Sequence, residues 1–177
     1  KGDDAEGRFV SNNRDSVSHF YAALLAEPSL TAEQKATLAK ARLQIPGDES
    51  DLKELTALAA DADSAAAHFR DYLLAANDFY LGNYGEAAQT FTRLKAVQQP
   101  WLAETATYML MRTSLNQSAT NANGEYGDFD VKKVDKTAVG QARDFANAYL
   151  DQWPKGEYAE STQGLLRRIN WYLEDWD

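Results

Sequence analysis

Few side chains in this sequence could do chemistry. Glu160 stands beside Ser161, and a carboxyl there could act as a general acid on a glycosidic bond if a sugar-binding cleft raised its pKa. The same stretch, Tyr158-Ala159-Glu160-Ser161-Thr162-Gln163-Gly164-Leu165-Leu166, also reads as ordinary helix-junction sequence, and the dipeptide alone is common. No catalytic residue is therefore assigned. The only imidazoles are His19 and His68. Neither has a His or carboxylate partner at the i+4 spacing of a helical metal site. His68 has Asp71 at i+3 and Tyr72 at i+4, which predicts a surface hydrogen bond. With no cysteine, disulfides, thiolate ligation and thiol catalysis are excluded. No metal and no cofactor is expected.

The charge balance narrows the partners. Lys and Arg number 18 against 27 Asp and Glu, a formal charge of −9 over 177 residues. Affinity for nucleic acid rests on cations neutralising phosphates, so a nucleic-acid partner is not expected. An anionic membrane surface is disfavoured for the same reason. No run of about 18 apolar residues exists, so no membrane-inserted helix is expected. The chain opens at Lys1 without the apolar region of a leader, which suggests a mature or trimmed form. Zero cysteines, acidity and many Asn and Gln suit a periplasmic or outer-membrane-associated bacterial protein, although a cytoplasmic one can share that composition. The densest basic spot, Arg167-Arg168 with Lys155, is expected to form ion pairs or face solvent.

The elements that must position these residues are helices. Val17, Phe20, Tyr21, Leu24 and Leu25 recur at three- and four-residue steps, the mark of one helical face. Thr31 and Gln34 form a capping box for a second helix, whose apolar stripe runs through Leu38, Ala41 and Leu43. Pro46-Gly47-Asp48 signals a turn, and Leu52, Leu55, Leu58 and Ala59 predict a third helix. Ser64 can cap a fourth, with Phe69, Tyr72, Leu73, Ala76, Phe79 and Tyr80 on a broad apolar face. Pro100-Trp101 opens another, carrying Leu102, Ala106, Met109 and Leu110. Gln117 to Asp135 reads as a long polar loop. Ala142, Phe145, Ala148, Tyr149 and Leu150 predict the next helix, and Glu157 to Trp176 the last. Sustained strand alternation is absent. The expected fold is all-α, in seven or eight helices.

From Leu74 onward the residues Leu74, Ala75, Leu81-Gly82-Asn83-Tyr84, Glu86-Ala87, Phe91 and Pro100 resemble a tetratricopeptide repeat. Physical reasons accompany the likeness. Gly82 permits the positive φ needed to leave a helix, and Ala87 and Phe91 share a face four residues apart. A second, degenerate copy follows, with Phe91 and Phe145 standing 54 residues apart and each followed nine residues later by a proline. The segment Tyr149-Leu150-Asp151-Gln152-Trp153-Pro154-Lys155-Gly156-Glu157-Tyr158-Ala159 resembles junctions of bacterial periplasmic repeat proteins. Examples are the outer-membrane assembly lipoproteins and the accessory protein of the Tol–Pal system. The likeness covers about Ala67 to Trp176, and Lys1 to Ala60 has no match. It implies one domain built as a short right-handed α-solenoid of antiparallel helix hairpins, and a non-enzymatic scaffold of the cell envelope.

Such a scaffold would bind a protein or peptide segment on its concave face. Asn77 and Asp78 on the first recognisable A-type helix, and Thr107, Met111 and Ser114 on the second, are the groove candidates. Tyr126 and Phe129, aromatics in an otherwise polar loop, are the other candidate contacts. Two other classes compete. A Glu-Ser pair also marks the catalytic glutamate of lytic transglycosylases, so an enzyme acting on cell-wall glycan through Glu160 is one. A structural subunit of an oligomer is the other, since helical repeats host many functions. Trp101 and Trp153, next to prolines, are expected to staple helix junctions, and Trp171 and Trp176 fall near the chain end.

Overall fold

The computed structural model describes residues 16–124 and 126–174. Among them every regular element is a helix, apart from one isolated bridge between Asn123 and Phe129. The chain divides into two compact units, Lys1–Leu73 and Leu74–Asp177, with the boundary inside one helix.

In the first unit, α1 is helical over 16–26, and α2 (Ala32–Arg42) follows a short turn. The Thr31–Gln34 capping box forms as expected. Thr31 Oγ1 accepts from the Gln34 N–H at 3.0 Å, and Gln34 Oε1 accepts from the Thr31 N–H at 2.9 Å. Helix α3 is a single turn, Lys53–Thr56, shorter than the leucine spacing predicted. Long-range donors claim the carbonyls beyond it. Arg70 Nη1 donates to Leu58 O and Gln34 Nε2 to Ala59 O, so those groups are satisfied outside any helix. Phe20 anchors the core. Its ring meets Phe69 edge-on at 5.9 Å and stacks with Tyr72 at 6.2 Å. Helix α4 (Ala65–Tyr80) starts on the Ser64 cap, whose Oγ accepts from the Ala67 N–H at 3.2 Å.

In the second unit, α4 ends in a left-handed turn. Gly82 has φ +82°, the Gly82 N–H returns to Phe79 O, and the Asn83 N–H returns to Asp78 O. That pair of bonds is the Schellman closure, and it satisfies the last carbonyls of the helix. Helix α5 (Tyr84–Leu94) buries Ala87, Phe91 and Leu94. Helix α6 (Pro100–Ser118) has proline in its first turn and a Gln99 side chain that accepts from the Leu102 N–H at 2.7 Å. The loop that follows contains a 3₁₀ turn, Val131–Lys133, before α7 (Lys136–Gln152) begins on the Asp135 cap. Helix α8 (Ala159–Tyr172) closes the described chain.

Consecutive helices pack on one another, α5 on α6, α6 on α7 and α7 on α8. The start of α7 meets the end of α6, where the Asp135 N–H donates to Ser118 O at 2.9 Å. The end of α7 meets the start of α6, where Tyr149 reaches Glu104. The buried stripe of α7 is Ala138, Val139, Ala142, Ala146 and Tyr149, while Ala148, predicted on that face, is exposed. Small residues on the stripe let α7 lie close to α6, with Tyr149 supplying the bulk at its end.

Candidate functional site

The loop between α6 and α7 carries two exposed aromatics of the second unit, Tyr126 and Phe129. Its base is tied by the Asn123–Phe129 bridge, one of whose bonds runs from the Asp130 N–H to Ala122 O at 2.7 Å. The Gly124 N–H donates to Asp128 O and the Gly127 N–H to Gly124 O, which forms a tight turn with Gly127 at φ +78°. Tyr126 stands in that turn with 89% of its surface exposed. Phe129 folds the other way, onto α8. Its ring stacks on Tyr172 at 5.5 Å and on Trp171 at 6.4 Å, and both Phe129 and Trp171 remain 41% exposed. The result is an aromatic ledge of loop and helix residues, with Tyr126 as a separate exposed ring.

The base of the same loop lines an open polar groove of about 670 Å³ with the start of α5 and the end of α6. Asn83, Glu86, Gln117, Asn121, Lys133 and Asp135 are among its walls. Amides and both signs of charge alternate there, so the groove offers hydrogen bonds without a dominant field.

The groove candidates on the helices have a different setting. Met111 has no exposed surface, and Asn77, Thr107 and Ser114 are buried, so none of the four presents a face to a partner. Thr107 Oγ1 is turned back onto its own helix, donating to Ala103 O at 2.8 Å. Asp78 is half-buried and accepts from Asn83 Nδ2 at 3.4 Å, bracing the α4–α5 turn. The reason is rotational. Helix α6 is apolar or small on nearly every side and is packed accordingly, and each residue step turns a side chain by roughly 100°. The half-buried Arg112 stands one step from the fully buried Met111.

Glu160 is exposed in the first turn of α8 and does not line the groove, and its neighbour Ser161 shares a hydrogen bond with the Tyr108 hydroxyl at 2.6 Å. His19 is exposed and His68 half-buried. Asp71, expected beside His68, takes Arg70 Nε at 3.2 Å. Among the described residues no group of three His, Asp or Glu could hold a metal ion. Arg167, Arg168 and Lys155 are exposed. Trp101 does staple a junction, donating from Nε1 to Glu157 at 3.1 Å, and Trp153 packs against Tyr149 at 5.3 Å. Trp176 lies outside the described residues.

Sequence reasoning missed a polar–aromatic knot where α6, α7 and α8 meet. Glu104 Oε2 accepts from the Tyr149 hydroxyl at 2.9 Å and from the Glu157 N–H at 3.0 Å. The Tyr149 oxygen in turn accepts from the Tyr158 N–H at 2.8 Å. Tyr158 stacks on Tyr108 at 4.3 Å with the rings nearly parallel, and its hydroxyl meets Thr105 Oγ1 at 3.0 Å. Burial, above all, holds the Tyr149 phenol well above the usual tyrosine range. The carboxylates of Glu104 and Glu157 push the same way, against the Tyr158 N–H. The Tyr149 side chain has no exposed surface, and its hydrogen bonds brace the junction. Compared with known proteins, the chain matches no family model, no curated protein and no solved structure.

Proposed function

We propose that this protein is a non-enzymatic interaction scaffold that binds a peptide or protein segment, with the α6–α7 loop as a principal contact. The observation that carries the reading is Tyr126, 89% exposed in a turn whose backbone is held by its own hydrogen bonds. A large aromatic ring loses few rotamers on binding for the contact area it supplies, which is why such rings dominate interfaces. The ledge of Phe129 and Trp171 extends the apolar surface available nearby on the same loop and α8. Within this proposal α5 to α8 form antiparallel hairpins stacked as a short TPR-like solenoid. The repeat-like residues from Leu74 to Pro100 and the junction from Tyr149 to Ala159 support that architecture and a place in the bacterial cell envelope, on the periplasmic side.

A peptide-display selection tests it. Random peptides are enriched on the immobilised wild-type protein and recovered again on a Tyr126→Ala/Phe129→Ala variant of equal helicity. A recurrent peptide motif that the variant fails to retain supports the scaffold reading. Enrichment of no motif, or of one retained equally by both proteins, removes the loop from the binding surface.

A further inference from the structure

Arg112 is the unusual cation of the second unit. It is half-buried on α6, and its guanidinium carbon lies 4.9 Å from the ring centre of Phe79 and 5.8 Å from that of Tyr108. Its one hydrogen bond among the described residues goes to the Met109 sulfur at 3.9 Å, a weak acceptor. No carboxylate lies within ion-pair distance of it among those residues. Arg70, half-buried in the first unit, shows the ordinary alternative. Its Nε pairs with Asp71 at 3.2 Å and its Nη1 donates to Leu58 O at 3.3 Å. A guanidinium stays charged at any physiological pH, so partial burial without an anion leaves most of its five N–H donors to water or to a ligand. The flanking rings offset part of that cost and hold the planar group in place.

We infer that Arg112 is a recognition site for the C-terminal carboxylate of a bound peptide. The planar fork fits the two oxygens of a carboxylate, and the aromatic flanks hold the fork before the ligand arrives. The formal charge of −9 repels a polyacidic segment, so the ligand carries one carboxylate in an otherwise neutral or basic sequence. The inference rests on the peptide-binding reading and adds the chemistry of the ligand.

The probe is acetyl-Ala-Leu, titrated as the free acid and as the C-terminal amide into the ¹⁵N-labelled full chain. The expected result is a saturable shift of the Arg112 Nε–H resonance with the acid. The amide should bind about tenfold or more weakly, which is the scale of one hydrogen bond to a charged group. Arg112→Gln should abolish the preference for acid over amide, and Arg112→Lys should weaken it. Equal responses to acid and amide, an unmoved Arg112 resonance, or an acid preference that survives in Arg112→Gln would overturn the assignment. The acid–amide comparison on the wild-type chain decides the matter even if a variant folds poorly. Failure here with a loop-dependent peptide selection intact would leave the scaffold reading standing and remove only the carboxylate site.

Discussion

Tyr149, in the last turns of α7, donates its hydroxyl proton to Glu104 in the first turns of α6 across 2.9 Å, joining residues 45 apart in the chain. The same oxygen accepts the Tyr158 N–H, so one buried phenol satisfies both the α6 carboxylate and the backbone entering α8. Replacing it with phenylalanine keeps the ring and leaves the Tyr158 N–H without its acceptor. Tyr149→Phe should therefore lower stability by about 1–3 kcal/mol in urea denaturation, the usual cost of orphaning a buried polar group. A change below measurement error would mean that water takes over both bonds.

That phenol also sets an alkaline limit. An unfolded tyrosine titrates near pH 10, and the folded Tyr149 titrates above it. Its stabilising contribution is therefore complete below about pH 10 and is lost as pH rises toward the folded value. The urea midpoint of the wild type should fall above pH 10 more steeply than that of Tyr149→Phe. Parallel curves for the two proteins would remove Tyr149 as the cause.

Gly156 and Gly82 should differ in how they tolerate alanine. A Cβ at Gly156 would lie 2.6 Å from the Tyr149 hydroxyl oxygen and 2.8 Å from Trp153 Cβ, so the knot must shift to admit it. At Gly82 nothing among the described residues lies within 4 Å, and the cost is the positive φ alone. Gly82→Ala should cost about 1–2 kcal/mol, and Gly156→Ala more than that, with loss of near-ultraviolet tyrosine and tryptophan dichroism. The reverse order of stabilities would count against the packing described at the junction.

Thr162 offers the opposite case. Its side-chain oxygen is buried without a hydrogen-bond partner among the described residues, and the residue has no exposed surface. Thr162→Val keeps the shape and removes the unpaired hydroxyl, so it should be neutral or stabilise by up to about 1 kcal/mol. A clear destabilisation would reveal a partner for that hydroxyl in solution, such as a buried water.

The two loop aromatics should separate into a surface role and a structural one. Tyr126→Ala should change stability by no more than about 0.5 kcal/mol, as exposed substitutions do. Phe129→Ala loses the stacking on Tyr172 and Trp171 and should cost about 1 kcal/mol. Thermal unfolding of the two variants reads the difference directly, and equal costs would contradict the packing of Phe129 on α8.

By itself the sequence determined what depends on neighbours a few residues apart. Those are the helical class, the Thr31 and Ser64 caps, the glycine exit at Gly82, the proline start of α6 and the loop that precedes Asp135. Each follows from backbone hydrogen bonding or allowed φ, which are local. Only the tertiary structure decided which face of α6 is covered, because a helix that is apolar or small on nearly every side gives little direction to its burial. Met111 thus lies inside while Arg112 reaches partly outward, and Ala148 is exposed where Ala146 is covered. The Tyr149–Glu104 knot and the stacking of Phe129 on α8 join residues more than 40 positions apart, and that pairing exists only once the helices pack.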